Sequence, residues 1–399
     1  MKNYFKIILV MLFLIGIYNV SFAQPLTGTK TVTHLGGGDY ISIASAIADL
    51  NSKGVGVGGV TFDVAPGHVE TFAAATTGTI TATGAALNPI VFRKASAGTN
   101  PLITASGLGT IAPSTGTASH GDGIIIIVGG DFITFDGIDL QEMPATTGNA
   151  RSEYGYYLKK ASPTDACKNV TIKNSTITLD KTVIYSFGIF VSNIYAASSV
   201  IVTSTGGRSE FIKIFNNNIS NCYGGILAQG YGSLSQDIWD QNIEIGVDGA
   251  NTITNFGGGA SFVYGILTNF QNNLKVANNV VNGGSGTTAS QIYGIRTDNG
   301  SNSNLDLYGN TVSLQSSSAT TAIVGIYNSM GGSGTSNTVN IYNNVVENCS
   351  YTVTSTTGTF NGIQQAAAAF TLNVYNNTVR NNAKAGTGAF NGINNSSVG

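Results

Sequence analysis

The sequence predicts an all-β parallel β-helix, a solenoid of about ten coils. Three observations carry this: a short alternating apolar repeat, a Gly-Ile pair recurring between its copies, and the lack of helix-forming stretches separating the two.

In the repeat, two apolar residues alternate with polar ones, an Asn or Gly and then an Asn follow, and another apolar residue closes the unit. Ile212, Ile214, Asn217 and Ile219 form one copy, and Leu274, Val276, Asn279 and Val281 the next clear one. Leu305, Leu307, Asn310 and Val312 follow, then Val339, Ile341, Asn344 and Val346, then Leu372, Val374, Asn377 and Val379. Weaker copies start at Ile133 and Val170, and a distorted one ends in Asn251-Thr-Ile253. Alternation places the apolar residues on one buried face of a short strand. Without helical crossovers, equivalent segments must stack on one another, so Ile, Val and Leu form columns in a continuous core. The recurrent Asn is then expected to form its own column at a bend, bonding to backbone and to the Asn of the next coil.

The Gly-Ile pairs run from Phe187-Gly-Ile189 through Gly225, Gly265, Gly294, Gly325 and Gly362 to Gly392-Ile393. Their spacing varies from Gly265 to Gly294 at the shortest and from Gly225 to Gly265 at the longest. A glycine fixed at this place marks a position that does not tolerate a side chain.

These repeats resemble the right-handed parallel β-helix repeats of the pectate-lyase-like superfamily, including their asparagine ladder, over roughly residues 60–399. The resemblance implies a right-handed coil. It implies little about chemistry, because that superfamily hosts lyases, hydrolases, esterases, adhesins and tail-spike proteins.

Residues 1–23 read as a secretory signal. Lys2 and Lys6 precede an apolar run ending at Ile17, and Ser21-Phe22-Ala23 is a small-x-small cleavage site. The mature protein is therefore expected to be secreted or held at the cell surface, without membrane insertion after signal removal. Residues 24–59 form an N-terminal segment with a capping helix. In it Ser42 is the N-cap, Ile43, Ile47 and Leu50 share a face, and Gly54 is the stop. Such a helix protects the first strand edge. Residues 60–399 are the β-helix, which stops soon after Gly392-Ile393 opens another coil, as a truncated chain would.

Only 10% of residues are charged and the net charge is −2, which argues against a nucleic-acid partner. Cys222 and Cys349 hold the same place in the repeat about four coils apart. At ~4.8 Å per coil that is far beyond the ~7 Å limit for a disulfide. The histidines His34, His68 and His120 lack ligand spacing, so no metal site is read.

Outward residues of the Gly-Ile strand form the row Tyr157, Phe190, Leu227, Leu267, Arg296, Tyr327, Gln364 and Asn394. It is either a sugar-stacking platform or a row hidden beneath loops. A second outward row holds Lys173, Phe215, Ala277, Tyr308, Tyr342 and Tyr375, and is either a glycan strip or a stabilising aromatic ladder. Arg296 and Asp298 lie two apart on one strand and point the same way, with Asn269 and Ser329 expected on the adjacent coils. Such a pair is either a surface ion pair or the start of a lyase site, where cationic groups or Ca²⁺ would neutralise a uronate and a base would remove its α-proton. Asp122, Asp131, Asp136, Asp139, Glu142 and Glu153 read as solvated acids. The acid pairs and Gly-His-Gly string of polygalacturonases are missing. The expected partner is a polysaccharide or cell-surface glycan, bound without catalysis. The alternative is a lyase or glycoside hydrolase acting on an acidic polysaccharide.

Overall fold

The computed structural model describes residues 24–109, 121–143, 151–196, 198–232, 235–259, 262–286 and 290–397. The expected signal, residues 1–23, and His120 lie outside them. The chain is a parallel β-helix of about ten turns with three sheets along its length, two of 11 strands and one of 10. Each coil crosses them in turn, as in Leu305–Tyr308 of the first sheet, Thr311–Ser316 of the second and Ile323–Asn328 of the third. Every neighbouring pair along the three sheets is parallel, as in Leu305 opposite Val339 and Leu307 opposite Ile341.

The asparagine column forms as the repeat predicts. Asn217, Asn251, Asn279, Asn310 and Asn344 are wholly buried. The Asn310 amide donates to the side chain of Asn344 at 3.0 Å, and that of Asn344 to Asn377 at 3.0 Å. Each also reaches a backbone carbonyl of the preceding coil, as Asn310 does at Val276 (2.9 Å). Backbone groups at a buried bend are thereby satisfied. The preceding Asn or Gly of the repeat has its own cause: Asn216, Asn278, Gly309, Asn343 and Asn376 all have φ between 54° and 66°. This left-handed backbone favours those two residues.

The Gly-Ile glycine is required by space. A Cβ at Gly294 would lie 2.3 Å from Val312 Cγ1 and 2.6 Å from the carbonyl oxygen of Gly325. Gly188, Gly225, Gly265, Gly325 and Gly362 meet similar obstacles, whereas Gly392, on the last coil, meets nothing within 4 Å.

The helix, Ile43–Lys53, buries Ile43, Ala46, Ile47 and Leu50 against the end of the core. Ser42 accepts from the amide of Ser45, and the Glu70 carboxylate takes the amides of Ile43 (2.7 Å) and Ala44 (2.9 Å), satisfying donors at the helix start. Leu26–Val32 already pairs with Val55–Val64 in the first sheet, since its alternation suits a strand despite few large apolar residues. A stack of Phe62, Phe92 and Phe135 fills the first coils, with centroids 4.5 and 5.0 Å apart.

Cys167, Cys222 and Cys349 are free and buried, as expected for the last two. The early acids depart from expectation. Asp122, Glu142 and Glu153 are buried, while Asp131, Asp136 and Asp139 stay partly exposed. Burial pushes the Glu153 carboxyl up to about 8; the charges of Asp122 and Glu142 add to this, and its bond from the Asp122 amide opposes it.

Candidate functional site on the third sheet

The residues of Ile292–Asp298 take their directions from Gly294. Ile292, Ile295 and Thr297 are wholly buried and face inward, which turns Tyr293, Arg296 and Asp298 outward. Register then sets the neighbours: Leu267 and Tyr327 flank Arg296, and Asn269 pairs with Asp298.

The predicted pair and its neighbours do come together. Arg296 Nε donates to Asp298 Oδ2 at 2.5 Å, and the Ser329 hydroxyl donates to Asp298 Oδ1 at 2.8 Å. The Arg296 guanidinium lies over three rings, 4.5 Å from the centroid of Tyr293, 5.1 Å from Tyr327 and 5.7 Å from Tyr264. Cation–π attraction and Asp298 hold the charge in place. Asn299 donates to Asn269, and Asn269 to Gln229, each at 3.0 Å. Asp298 has one oxygen on an arginine and the other on a serine, and so holds both groups in place.

The rest of this row is not an exposed platform. Tyr157 and Phe190 are 0% exposed, and Leu227 and Leu267 are 2% and 3%. They belong to a second apolar cluster outside the barrel, with Tyr154, Phe187 and Ile194. Ile194 comes from a hairpin, Ile194–Tyr195 with Ser198–Ser199, in the loop that follows the Phe187–Val191 strand. Tyr157 and Phe190 thus offer no ring face to a ligand in this structure. The row becomes polar and open only from Arg296 onward.

On the first sheet, the outward tyrosines stack as a column. Tyr308 and Tyr342 are 4.9 Å apart at 8°, and Tyr342 and Tyr375 are 5.0 Å apart at 4°. Stacking covers both faces of Tyr342, leaving only ring edges and hydroxyls, so the column has the geometry of a stabilising ladder. A hollow of about 340 Å³ lies beside it, over Lys275, Asp306 and Asn340. Its polar groups satisfy one another: Lys275 pairs with Glu244, and Asn340 donates to Asp306.

Another hollow, of about 270 Å³, lies past the ends of the third-sheet strands and borders Ser329. Trp239 and Phe270 form its aromatic side, with centroids 6.2 Å apart, and Asn299, Ser301, Ser329 and Ser333 line it with polar atoms. The sequence reading missed it. Its signal was a bulky Phe270 one residue beyond Asn269, where the next coil has Asn299 beyond Asp298. Both are left-handed, with φ of 52° and 54°.

Among the described residues no group of three His, Cys, Asp or Glu side chains is arranged to hold a metal ion. No helix among them is long and apolar enough to cross a membrane.

No family model matches the chain, and no curated protein matches it. Among solved structures it is similar to an alginate lyase from Paenibacillus sp. str. FPU-7, at 14% identity and a TM-score of 0.44, over 88% of this chain and 97% of that one. It is also similar to the GH136 lacto-N-biosidase from Eubacterium ramulus, at 12% identity and 0.48, over 92% of this chain and 67% of that one. A polygalacturonase from Erwinia carotovora ssp. carotovora matches at 10% identity and 0.39, over 94% of this chain and 99% of that one. At these identities and scores no site is transferred from them. The chain is a parallel β-solenoid of about ten turns.

Proposed function

We propose that this protein is an extracellular or cell-surface β-helix that binds glycans without cleaving them, through the open part of its third-sheet face. The observation that carries this reading is the state of Arg296 and Asp298: each is committed to the other, to the surrounding tyrosines or to Ser329, beside a hollow with an aromatic side and a hydroxyl rim. Sugar sites combine these two features, a ring for the apolar face of a pyranose and placed polar atoms for its hydroxyls. Export rests on the leading residues 1–23.

A second reading, a lyase acting on an acidic polysaccharide, draws support from the assembly of Arg296, Asp298, Asn269 and Ser329 on three adjacent coils. One experiment separates the two. The protein is incubated with alginate and polygalacturonate, with and without Ca²⁺, and ultraviolet absorbance is followed for unsaturated products. No unsaturated product from either polymer is the expected result. Turnover abolished by Arg296→Ala would replace the first reading with the second.

A further inference from the structure

We infer that the hollow beside Ser329 takes an uncharged sugar unit, so that the ligand is a neutral glycan and not a uronate polymer; this deepens the glycan-binding reading and rests on it. None of the residues lining the hollow is ionisable. Nearby Asp298 lies behind Ser329, with its charge answered by Arg296 on the strand side. A carboxylate placed in the hollow would meet an acid before it met a cation, and would gain no compensation for its lost water.

The polar atoms suit hydroxyls. Ser329 gives its proton to Asp298, which leaves its oxygen as an acceptor. The Asn299 side chain donates to Asn269 and the residue is exposed. Ser301 and Ser333 are exposed. A volume of about 270 Å³ is just below the ~300 Å³ at which drug-sized pockets begin, so it fits a unit of monosaccharide size.

Phe270 supplies an independent observation. It holds a left-handed backbone with φ of 52°, a conformation that costs an ordinary side chain ~1–2 kcal/mol. Left-handed positions elsewhere in the coils are held mainly by Asn and Gly; Phe132, Tyr185 and Phe211 are the other aromatics among the described residues, and none of them lines this hollow. Gly232 leaves room for the ring, since a Cβ there would lie 2.9 Å from it. An aromatic kept against backbone preference at the wall of a hollow is the pattern of a binding residue.

The test is calorimetric titration of the full chain with neutral β-linked hexose and pentose oligosaccharides and, separately, with oligogalacturonate and oligomannuronate. Neutral oligosaccharides are expected to bind and the uronates not. Phe270→Asn is expected to weaken binding at least tenfold while unfolding at or above the parent temperature, because it removes the ring and relieves the backbone. Ser301→Trp, a surface change that fills the hollow, is expected to abolish binding at an unchanged unfolding temperature. Uronate binding without neutral binding would overturn the ligand class and leave the glycan-binding reading standing. No binding of either kind would overturn both. Full binding by both variants would overturn the location.

Discussion

Replacing Gly294 by Ala tests the stacking of coils more sharply than any change to the core columns, because the added methyl has a known position. Gly294 does not have a left-handed φ, so the backbone itself accepts alanine. Space does not: the new Cβ would lie 2.3 Å from Val312 Cγ1 and 2.6 Å from the Gly325 carbonyl oxygen. Val312 is β-branched and cannot turn aside freely. The carbonyl belongs to the next coil, so relief requires moving two coils apart. Overpacking of this kind costs about 1–3 kcal/mol, and a contact involving backbone puts Gly294→Ala at the upper end. Gly392→Ala is the internal control. It changes the same residue at the equivalent place on the last described coil, where no described atom lies within 4 Å. There the methyl reduces only the freedom of the unfolded chain, worth about 0.4–1 kcal/mol in favour of folding. Urea midpoints from far-ultraviolet circular dichroism should therefore differ by the equivalent of about 2–4 kcal/mol, with Gly294→Ala lower. Equal midpoints would refute the claim that glycine is kept here for close approach between coils.

Other consequences follow from buried polar groups. Burial pushes the thiols of Cys167, Cys222 and Cys349 up to about 12, so a thiol reagent at pH 7 should label none of the three in native protein and all three in guanidinium. Glu153, raised mainly by burial, keeps its proton in the folded chain where the unfolded chain has lost it. Its contribution to stability is full below its ordinary 4.5 and is lost as pH rises toward about 8; urea midpoints should fall across that window, and Glu153→Gln should flatten the fall. Lys160 and Asp240 form a wholly buried pair at 3.4 Å, with the Lys160 ammonium also on the Gly207 carbonyl at 2.7 Å. Removing one partner strands the other, so Lys160→Met should cost about 3–5 kcal/mol in denaturant titrations, while the double change to Met and Leu should recover most of it.

What was legible in the sequence was whatever repeats. Inward Ile, Val, Leu and Asn recur because each must fit the same residue one coil away, and Gly294 and its equivalents recur for the same steric reason. Ser42 and Gly54 were legible as helix ends because capping is local. Arg296, Asp298, Asn269 and Ser329 were brought together correctly because strand alternation and register alone place them. The fate of the outward rows was not legible, since it depends on loops that have no period. Nothing in Tyr157 or Phe190 announces that a hairpin carrying Ile194 folds into the same cluster. The tyrosine column was foreseen, but its spacing near 5 Å, which hides the ring faces, follows from coil geometry that the residue types alone do not display.

The stacking of equivalent segments is tested most directly by crosslinking across coils. Asn282 and Ser313 are register partners on the outer face of the second sheet. At the ~4.8 Å spacing of paired strands their Cα atoms fall within the range a disulfide accepts. Asn282 and Gln315 are offset by one further outward position, at ~8 Å, beyond that range. Under mild oxidation the Asn282→Cys, Ser313→Cys variant should lose two mass units in intact-mass measurements and the Asn282→Cys, Gln315→Cys variant should not. Oxidation of both pairs to the same extent, or of the second alone, would contradict the account.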